Sequence, residues 1–194
     1  MLLERIKNYD IILGSKSPRR HFLLSEIGLT YKVITPEVDE SYPKDLKAEK
    51  IPLYLAQKKA EALADHLAER VIIITADTIV WINNSCINKP GDNAEAYEML
   101  QLLSGNRHEV YTGVCIKSLQ KEKCFYVKSC VYFKKLHDDE IKYYLEHYKP
   151  LDKAGAYGIQ EWIGYIGIQK VEGSFYNVMG LPVTRVYEHL EKFV

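Results

Sequence analysis

The sequence predicts an α/β protein built on one mixed sheet. Strand-like and helix-like segments alternate in the first half of the chain, whereas strand-like runs cluster in the second half. Alternation is typical of parallel β–α–β units, and consecutive strands are typical of antiparallel pairing. The 194 residues suffice for a proper core, and no linker or internal repeat divides them. We therefore expect a single domain over residues 1–194.

The first half supplies two strand–helix units. Residues 9–13 predict a strand, and the apolar residues within 18–27 recur at helical spacing. Residues 31–35 predict a short strand, and residues 51–69 predict a helix with one apolar stripe. The β-branched run 71–75 shows no polar alternation, which is typical of a strand buried on both faces, and residues 78–82 continue the extended pattern.

The second half is richer in strands. Asp92 and Glu95 are spaced as a capping box for a helix that ends at the stop signal Gly105. Residues 109–117 and 124–134 predict an antiparallel hairpin. The remaining expectations are a helix from Asp138 or Asp139, a glycine-rich stretch over 151–181 and a closing helix over 182–193.

The charge balance and the apolar runs exclude several classes of protein. Lys plus Arg and Asp plus Glu number 26 each, so no global field attracts nucleic acid or an anionic membrane, and we expect neither as a partner. No segment approaches the roughly 18 apolar residues that a membrane span needs, and the first ten residues have no signal-peptide core. We expect a cytoplasmic protein. Its four cysteines form no CxxC pair and are interpreted as buried thiols of a reducing compartment: Cys86, Cys115, Cys124 and Cys130.

The hexapeptide SKSPRR, residues 15–20, joins the first strand to the first of these helices. Ser17 suits an N-cap, and Pro18 suits the first helical turn, where its missing N–H costs nothing. Free backbone N–H groups from Ser15 onward and the guanidinium groups of Arg19 and Arg20 would then point at one spot, which suits a phosphate. An ordinary capped helix with solvated arginines is the alternative that this hexapeptide leaves open.

Asp77 and Lys59 are the sharpest single positions. Asp77 follows an apolar strand, and we expect it at the carboxyl end of that strand, where open α/β sheets bind ligands. A carboxylate there is costly unless it meets a metal, a cation or several donors, although it could instead cap the following turn. Lys59 shares the apolar helix stripe of Leu55 and Leu63, and its alternative is a side chain that extends to solvent.

Two loops have compositions that suit ligands. Glu37, Asp39 and Glu40 form an acidic cluster, and carboxylates are suitable ligands for Mg²⁺ or Mn²⁺ when substrate phosphates complete the shell. A solvated loop is the alternative. The small residues within 152–160 would let a backbone approach a ligand closely, although tight turns use the same residues.

Taken together, these segments resemble the Maf family, relatives of septum-formation proteins that act as nucleotide pyrophosphatases. The resemblance spans nearly the whole chain. It rests on several motifs in the family's order: SKSPRR at 15–20, ADT at 76–78, KP at 89–90, LSGNRHEVYTG at 103–113, DKAGAYGIQ at 152–160 and NVMGLP at 177–182.

The resemblance implies a mixed α/β architecture with two lobes around a deep cleft, similar to the inosine-triphosphate pyrophosphatase fold. It also implies hydrolysis of a nucleoside triphosphate to the monophosphate and pyrophosphate, assisted by Mg²⁺ or Mn²⁺, in the house-cleaning of nucleotide pools. The motif that ends at Gln160 resembles the branch acting on dTTP and UTP. The branch acting on 7-methyl-GTP carries Glu at the equivalent position.

The motifs also assign expected roles. Asp77 matches the proton acceptor, and Arg19, Thr78 and Gln160 match positions linked to substrate choice. Further matches to the active site are Glu40, Lys59 and Lys89. From the chemistry we expect Ser15 to help Arg19, Lys59 and Lys89 hold the phosphates, and Glu40 and Asp77 to bind the metal. The chain departs from the family in Glu161-Trp162, where glycine usually follows the glutamine, which leaves fine substrate preference open.

Two other functions stay open from the sequence alone. One is a nucleotide-binding regulator of cell division that hydrolyses little, and the other is a 7-methyl-GTP pyrophosphatase. The sequence also leaves open the physiological pyrimidine triphosphate, whether Asp77 acts as base or metal ligand, and the oligomeric state, a homodimer being one alternative.

Overall fold

Seven strands form a single mixed sheet in the computed structural model, which describes residues 1–194. The strands are β1 (Asp10–Gly14), β2 (Lys32–Val33), β3 (Val71–Ile82), β4 (Ser85–Ile87), β5 (Arg107–Lys117), β6 (Glu122–Phe133) and β7 (Ile168–Glu172). Their spatial order is β2-β1-β3-β5-β6-β7, and β4 pairs with the end of β3. β1 pairs in parallel with β2 and β3, and the other pairings are antiparallel. The predicted mixed-sheet α/β class is confirmed.

Helices flank this sheet. They are α1 (Leu2–Ile6), α2 (Pro18–Glu26), α3 (Lys50–Glu61), α4 (Asn93–Leu103), α5 (Asp138–Tyr148), α6 (Trp162–Gly167), α7 (Phe175–Met179) and α8 (Val183–Leu190), with 3₁₀ turns at Ala64–His66 and Ala154–Ala156. None of the helices has both the length and the hydropathy that crossing a bilayer requires.

The local signals in the sequence differ in how well they place the elements. The hairpin of β5 and β6 is confirmed, and Asp92 caps α4 by accepting a hydrogen bond from the backbone N–H of Glu95. The helix expected over 51–69 is too long, because α3 ends at Glu61. A 3₁₀ turn and Arg70, whose φ is 60°, then turn the chain into β3.

The two faces of the sheet are covered by different elements. Alternate side chains of β3 such as Ile72 and Ile74 enter the larger core, which also contains Leu24 of α2, Leu100 of α4 and Leu190 of α8. The opposite face is covered by α3. The residues that pack between the sheet and α3 are Ile51, Leu55, Ala56, Ala60, Ile79, Tyr111 and Cys115. A side chain on β3 therefore faces either the main core or α3, according to its parity.

β3 continues through Asp77 without a break, so the expectation that Asp77 ends a strand is wrong. The pairing of β3 with β1 ends where Gly14 lies opposite Thr75, and the pairing of β3 with β4 begins at Val80. Between these two points, the edge of β3 on this side has no strand partner. Asp77 lies in that gap, so a mid-strand residue borders an opening in the sheet.

Candidate active site

A cleft of about 460 Å³ opens at the unpaired stretch of β3. One wall consists of the loop before α2 and residues 35–40, and the other consists of residues 152–160 and 178–180. All eight site residues named from the sequence line this cleft: Ser15, Arg19, Glu40, Lys59, Asp77, Thr78, Lys89 and Gln160. The fold thus brings together residues that are distant in sequence.

A lysine between two carboxylates forms the α3 side of the cleft. Lys59 is only 8% exposed, and its Nζ donates to Asp77 Oδ1 at 2.6 Å. The same Nζ lies 2.7 Å from Glu40 Oε1, and Lys89 Nζ lies 3.8 Å from Glu40 Oε2. Burial raises the pKa of Glu40, but its hydrogen bond to Lys59 and the charge of that ammonium lower the pKa by more. Lys59 does not extend to solvent, because its ammonium pairs with Asp77 and Glu40.

Thr78 faces the other side of the sheet, since successive side chains on a strand alternate. Its Oγ1 lies 2.9 Å from Thr112 Oγ1 and receives a hydrogen bond at 3.1 Å from Arg20 Nη2. Because the edge of β3 is open here, side chains from both faces reach one cleft. Asp77 and Thr78 therefore border the same cleft from opposite sides.

Arg20 is part of the cleft wall rather than a solvated neighbour of Arg19. Its Nε donates to Gly180 O at 2.8 Å, and its Nη1 donates to Ser15 Oγ at 3.3 Å. Burial lowers the pKa of the guanidinium, and the charge of Asp77 opposes that shift. The sequence-based alternative of a solvated Arg20 is therefore wrong.

Arg19 spans the cleft to the opposite wall. Its Nη1 donates to Asp152 Oδ2 at 2.8 Å, and Lys153 Nζ donates to Asp152 Oδ1 at 2.7 Å. Burial raises the pKa of Asp152, but the two cations lower the pKa by more.

The start of α2 differs in one detail from the predicted cap. α2 begins at Pro18 as predicted, and Ser17 takes the N-cap position without a side-chain capping bond. Its backbone N–H donates instead to Ser15 Oγ at 3.1 Å.

Gln160 closes the far wall, and its Oε1 is buried without a hydrogen-bond partner. A buried acceptor without a donor is costly in a folded protein, which makes Gln160 Oε1 a candidate contact for a ligand N–H.

Glu161 fixes the loop that carries Gln160. The Tyr144 hydroxyl donates to Glu161 Oε2, Lys153 Nζ lies 3.1 Å from Glu161 Oε1, and the Gly158 N–H donates to the Tyr144 hydroxyl at 3.1 Å.

The donor set of the cleft fits a hard divalent cation. Glu40 and Asp77 converge on one point, marked by Lys59 Nζ, and Oδ2 of Asp77 has no hydrogen-bond partner. Mg²⁺ typically binds one or two carboxylates and completes its shell with waters and substrate phosphates. Two carboxylates beside a cation-lined cleft satisfy that requirement.

Comparison with known proteins identifies the family. The Maf-like protein family matches residues 10–193. The chain belongs to this family. Among its Maf-like relatives, a dTTP/UTP pyrophosphatase of Parabacteroides distasonis is 52% identical over 193 residues, covering 99% of this chain and 100% of the relative. A dTTP/UTP pyrophosphatase of Porphyromonas gingivalis is 51% identical over 195 residues, covering 99% of this chain and 98% of the relative.

The Maf-like fold has a distant likeness among solved structures. The Staphylococcus aureus Ham1 protein is 16% identical to this chain, with a TM-score of 0.50 over 95% of this chain and 100% of that one. At this level of identity the comparison bears on architecture alone. It supports the expected similarity of Maf-like proteins to the inosine-triphosphate pyrophosphatase fold.

The sequence offered Arg20 only as one of two arginines facing a phosphate, and it left Asp152 and Lys153 inside a motif of the Maf-like cleft without a site role. Each is engaged with a cleft residue, as described above. Charged residues of this kind are common on protein surfaces, so the three positions carry no signal by themselves. Only the motifs that contain them, at 15–20 and 152–160, pointed to the cleft. Glu161 stood out as a departure from the family pattern, and the structure gives it two buried partners.

Proposed function

We propose that this chain hydrolyses dTTP and UTP to the nucleoside monophosphate and pyrophosphate, with residues 1–194 acting as one catalytic domain. The observation that carries the proposal is the single cleft that gathers three kinds of group: a carboxylate with a free oxygen, several cations and an unpartnered amide. Relatives that are half identical over their full length carry the name dTTP/UTP pyrophosphatase. These observations support one substrate class, a pyrimidine nucleoside triphosphate.

The cations of the cleft suit the triphosphate. Hydrolysis between the α- and β-phosphates develops negative charge on the leaving pyrophosphate, so positioning and electrostatics carry most of the catalysis. Arg19, Lys59 and Lys89 hold the phosphates, and Ser15 lies in the loop whose backbone N–H groups assist them. Arg20 keeps that loop in place through its bond to Ser15 Oγ.

Asp77 is the proton acceptor in this proposal. Lys59 holds Oδ1 at 2.6 Å and so fixes the orientation of the carboxylate, while Oδ2 is free to accept a hydrogen bond from the attacking water. The arrangement separates two tasks: one oxygen anchors the side chain, and the other orients or deprotonates the nucleophile.

Glu40 and Asp77 are the residues that would hold Mg²⁺ or Mn²⁺, together with phosphate oxygens. When bound, such an ion neutralises phosphate charge and orients the triphosphate. The tight pairing of both carboxylates with Lys59 positions them for this purpose before substrate enters.

Gln160 is the proposed reader of the base. The imide N–H of uracil and of thymine is a donor, and the buried Oε1 of Gln160 is an acceptor that lacks one. The amide N–H₂ of the same side chain suits a carbonyl oxygen of the base. Guanine derivatives present a different edge and a larger ring system.

The test is a panel of nucleoside triphosphates with detection of pyrophosphate, with and without Mg²⁺. We expect dTTP and UTP to exceed GTP and 7-methyl-GTP by at least about tenfold in kcat/KM, or about 1.4 kcal/mol in transition-state binding. Tight nucleotide binding without pyrophosphate release would favour the regulator instead. A preference for 7-methyl-GTP would favour the other branch of the family.

A further inference from the structure

Two cysteines that are separate in sequence meet outside the cleft. Cys115 on β5 lies directly opposite Cys124 on β6, and their Sγ atoms are 2.6 Å apart. Directly opposed residues of an antiparallel pair have Cα atoms about 4.5 to 5.5 Å apart. A disulfide spans Cα distances of about 4.4 to 6.8 Å. The register of the hairpin therefore suits a cross-strand disulfide without movement of the backbone.

The two sulfurs differ in access. Cys115 is fully buried under α3, where it packs against Ala56 and Ala60. Cys124 lies at the rim of the same cluster and is half-buried. A small oxidant from solvent meets Cys124 first, and the Cys115 sulfur is already in place behind it.

The surroundings favour a reactive thiolate at Cys124. The hydrogen bond between the two sulfurs lowers the pKa of Cys124, and the charge of Lys117 adds to that lowering. Burial and the neighbouring carboxylate of Glu122 oppose the shift but do not cancel it. The interaction with Cys124, and then burial, raise the pKa of Cys115, which keeps it a thiol. Cys124 is thus suited to react first with an oxidant, and Cys115 is suited to react next with the oxidised Cys124.

The same cluster is less suited to a metal ion. Cys115, Cys124 and Glu122 offer ligand atoms within 4.8 Å of one another. However, Lys117 Nζ lies 2.6 Å from Glu122 Oε2, and Gln57 Nε2 donates to Glu122 Oε1 at 3.2 Å. Both oxygens of Glu122 are therefore engaged, whereas Asp77 in the cleft keeps one oxygen free.

We propose that Cys115 and Cys124 are a redox modification site that forms a reversible disulfide with a peroxide as oxidant. The Cys124 thiolate attacks one oxygen of hydrogen peroxide and an S–O bond forms. The O–O bond breaks, hydroxide departs, and Cys124 is now a sulfenic acid. The Cys115 sulfur then attacks that sulfenic sulfur, the S–O bond breaks, and water leaves with the thiol proton. The proton that Cys124 lost on ionising combines with the hydroxide to give a second water. In sum, two thiols are oxidised to one disulfide, and one hydrogen peroxide is reduced to two waters.

The test treats the full-length protein with hydrogen peroxide, blocks remaining thiols with an alkylating agent and maps peptides without reduction. We expect a Cys115–Cys124 cross-linked peptide that a dithiol reductant removes, and a higher Tm of the oxidised protein, because the cross-link restrains the unfolded chain. Cys86→Ala is the matched control, and it should form the same cross-link.

Two variants separate a redox pair from two thiols that merely pack together. Cys115→Ala should lose the cross-link and leave Cys124 to oxidise further, to the sulfinic acid. Lys117→Gln should slow cross-linking by several-fold, because it removes a charge that favours the thiolate. Circular dichroism of each variant shows whether it is folded.

The proposal fails if peroxide leaves both thiols of the folded wild type free, or if Cys124 oxidises to the sulfinic acid without the cross-link. It also fails if Zn²⁺ added alone is retained at one equivalent and is lost in Glu122→Gln, with no cross-link on oxidation. That result would assign the cluster to a metal.

Discussion

Gly113 lies directly opposite Asp77 in the register of β5 and β3, and the backbone of α3 fills the space where a side chain at residue 113 would stand. A Cβ there would lie 2.3 Å from Pro52 O and 2.4 Å from Leu53 N. The missing side chain therefore lets α3 approach the sheet beside Asp77. This close packing is what brings Lys59 to the carboxylate.

Gly113→Ala should displace α3 and separate Lys59 from Asp77. We expect a loss of about 1 to 3 kcal/mol in unfolding free energy from overpacking, and at least a tenfold fall in kcat. Urea unfolding and pyrophosphate release measure the two effects. Gly91→Ala is the control, since its Cβ would meet only the end of the Glu95 side chain. Full activity of Gly113→Ala would show that the packing of α3 does not position Lys59.

Asp77→Asn should abolish most pyrophosphate release without unfolding the protein. The amide matches the carboxylate in shape but cannot accept the proton, and Lys59 retains Glu40 as a partner. A loss of about 10² or more in kcat is expected for the removal of a general base. Asp65→Asn, at an exposed residue of a 3₁₀ turn, should be unchanged. Near-normal turnover by a folded Asp77→Asn protein would remove Asp77 from this role.

Gln160→Glu should narrow the preference for dTTP and UTP over GTP. The carboxylate keeps an acceptor but loses the N–H₂ donor and adds a negative charge to the base-binding wall. We expect kcat/KM for dTTP to fall by about tenfold or more while the value for GTP changes less. Gln120→Glu, on the exposed β5–β6 turn, is the control. An unchanged ratio of the two kcat/KM values would separate Gln160 from substrate choice.

Glu161→Ala should loosen the loop that carries Gln160. The change removes the acceptor of the Tyr144 hydroxyl and leaves buried Lys153 with Asp152 as its remaining carboxylate. We expect a cost of about 1 to 3 kcal/mol in unfolding free energy and a raised KM for dTTP. Glu188→Ala breaks an exposed pair with Arg185 and should cost less than about 1 kcal/mol. Equal effects of the two variants would contradict this role of Glu161.

Acid should destabilise the fold through His108. This side chain is 1% exposed, its Nε2 lies 2.7 Å from the Tyr157 hydroxyl oxygen, and burial lowers its pKa from 6.5 to about 3. Between those two values the unfolded chain binds a proton that the folded chain does not, so stability falls as the pH falls. At pH 5 the loss from this group is about 2 kcal/mol.

The check on His108 compares the free energy of unfolding at several pH values for the wild type and His108→Gln. The variant should have a shallower dependence on pH below 6.5, whatever its absolute stability. His66→Gln, at an exposed position, should retain the wild-type slope. An identical slope for His108→Gln would mean that other groups cause the acid sensitivity.

Local signals in the sequence predicted much of the sheet but misplaced Asp77. A charged residue after a β-branched run usually marks the end of a strand, so the pattern favoured a boundary there. β3 continues because Lys59, eighteen positions earlier, supplies a positive charge from the helix above. That contact depends on how α3 crosses the sheet, which no local periodicity encodes.

The glycine-rich part of the chain was the least predictable. α6, β7 and α7 all lie within the stretch over 151–181, where short elements are stabilised by tertiary contacts rather than by periodicity. Asn177, for example, is buried and donates to Val110 O and Ser129 Oγ. Arg20 was left undecided by the sequence for the same reason, because its partner Gly180 is 160 positions away.

The ion pairs of the cleft have a consequence for how a triphosphate binds. In the proposed site, Lys59 and Arg19 are already paired with Glu40 and Asp152, so phosphate oxygens would gain these cations by exchange with those two carboxylates while Lys59 keeps Asp77. Glu40, once released from Lys59, would then be available to a divalent ion. Affinity for the nucleotide and affinity for the ion should therefore rise together, by the same factor in each direction.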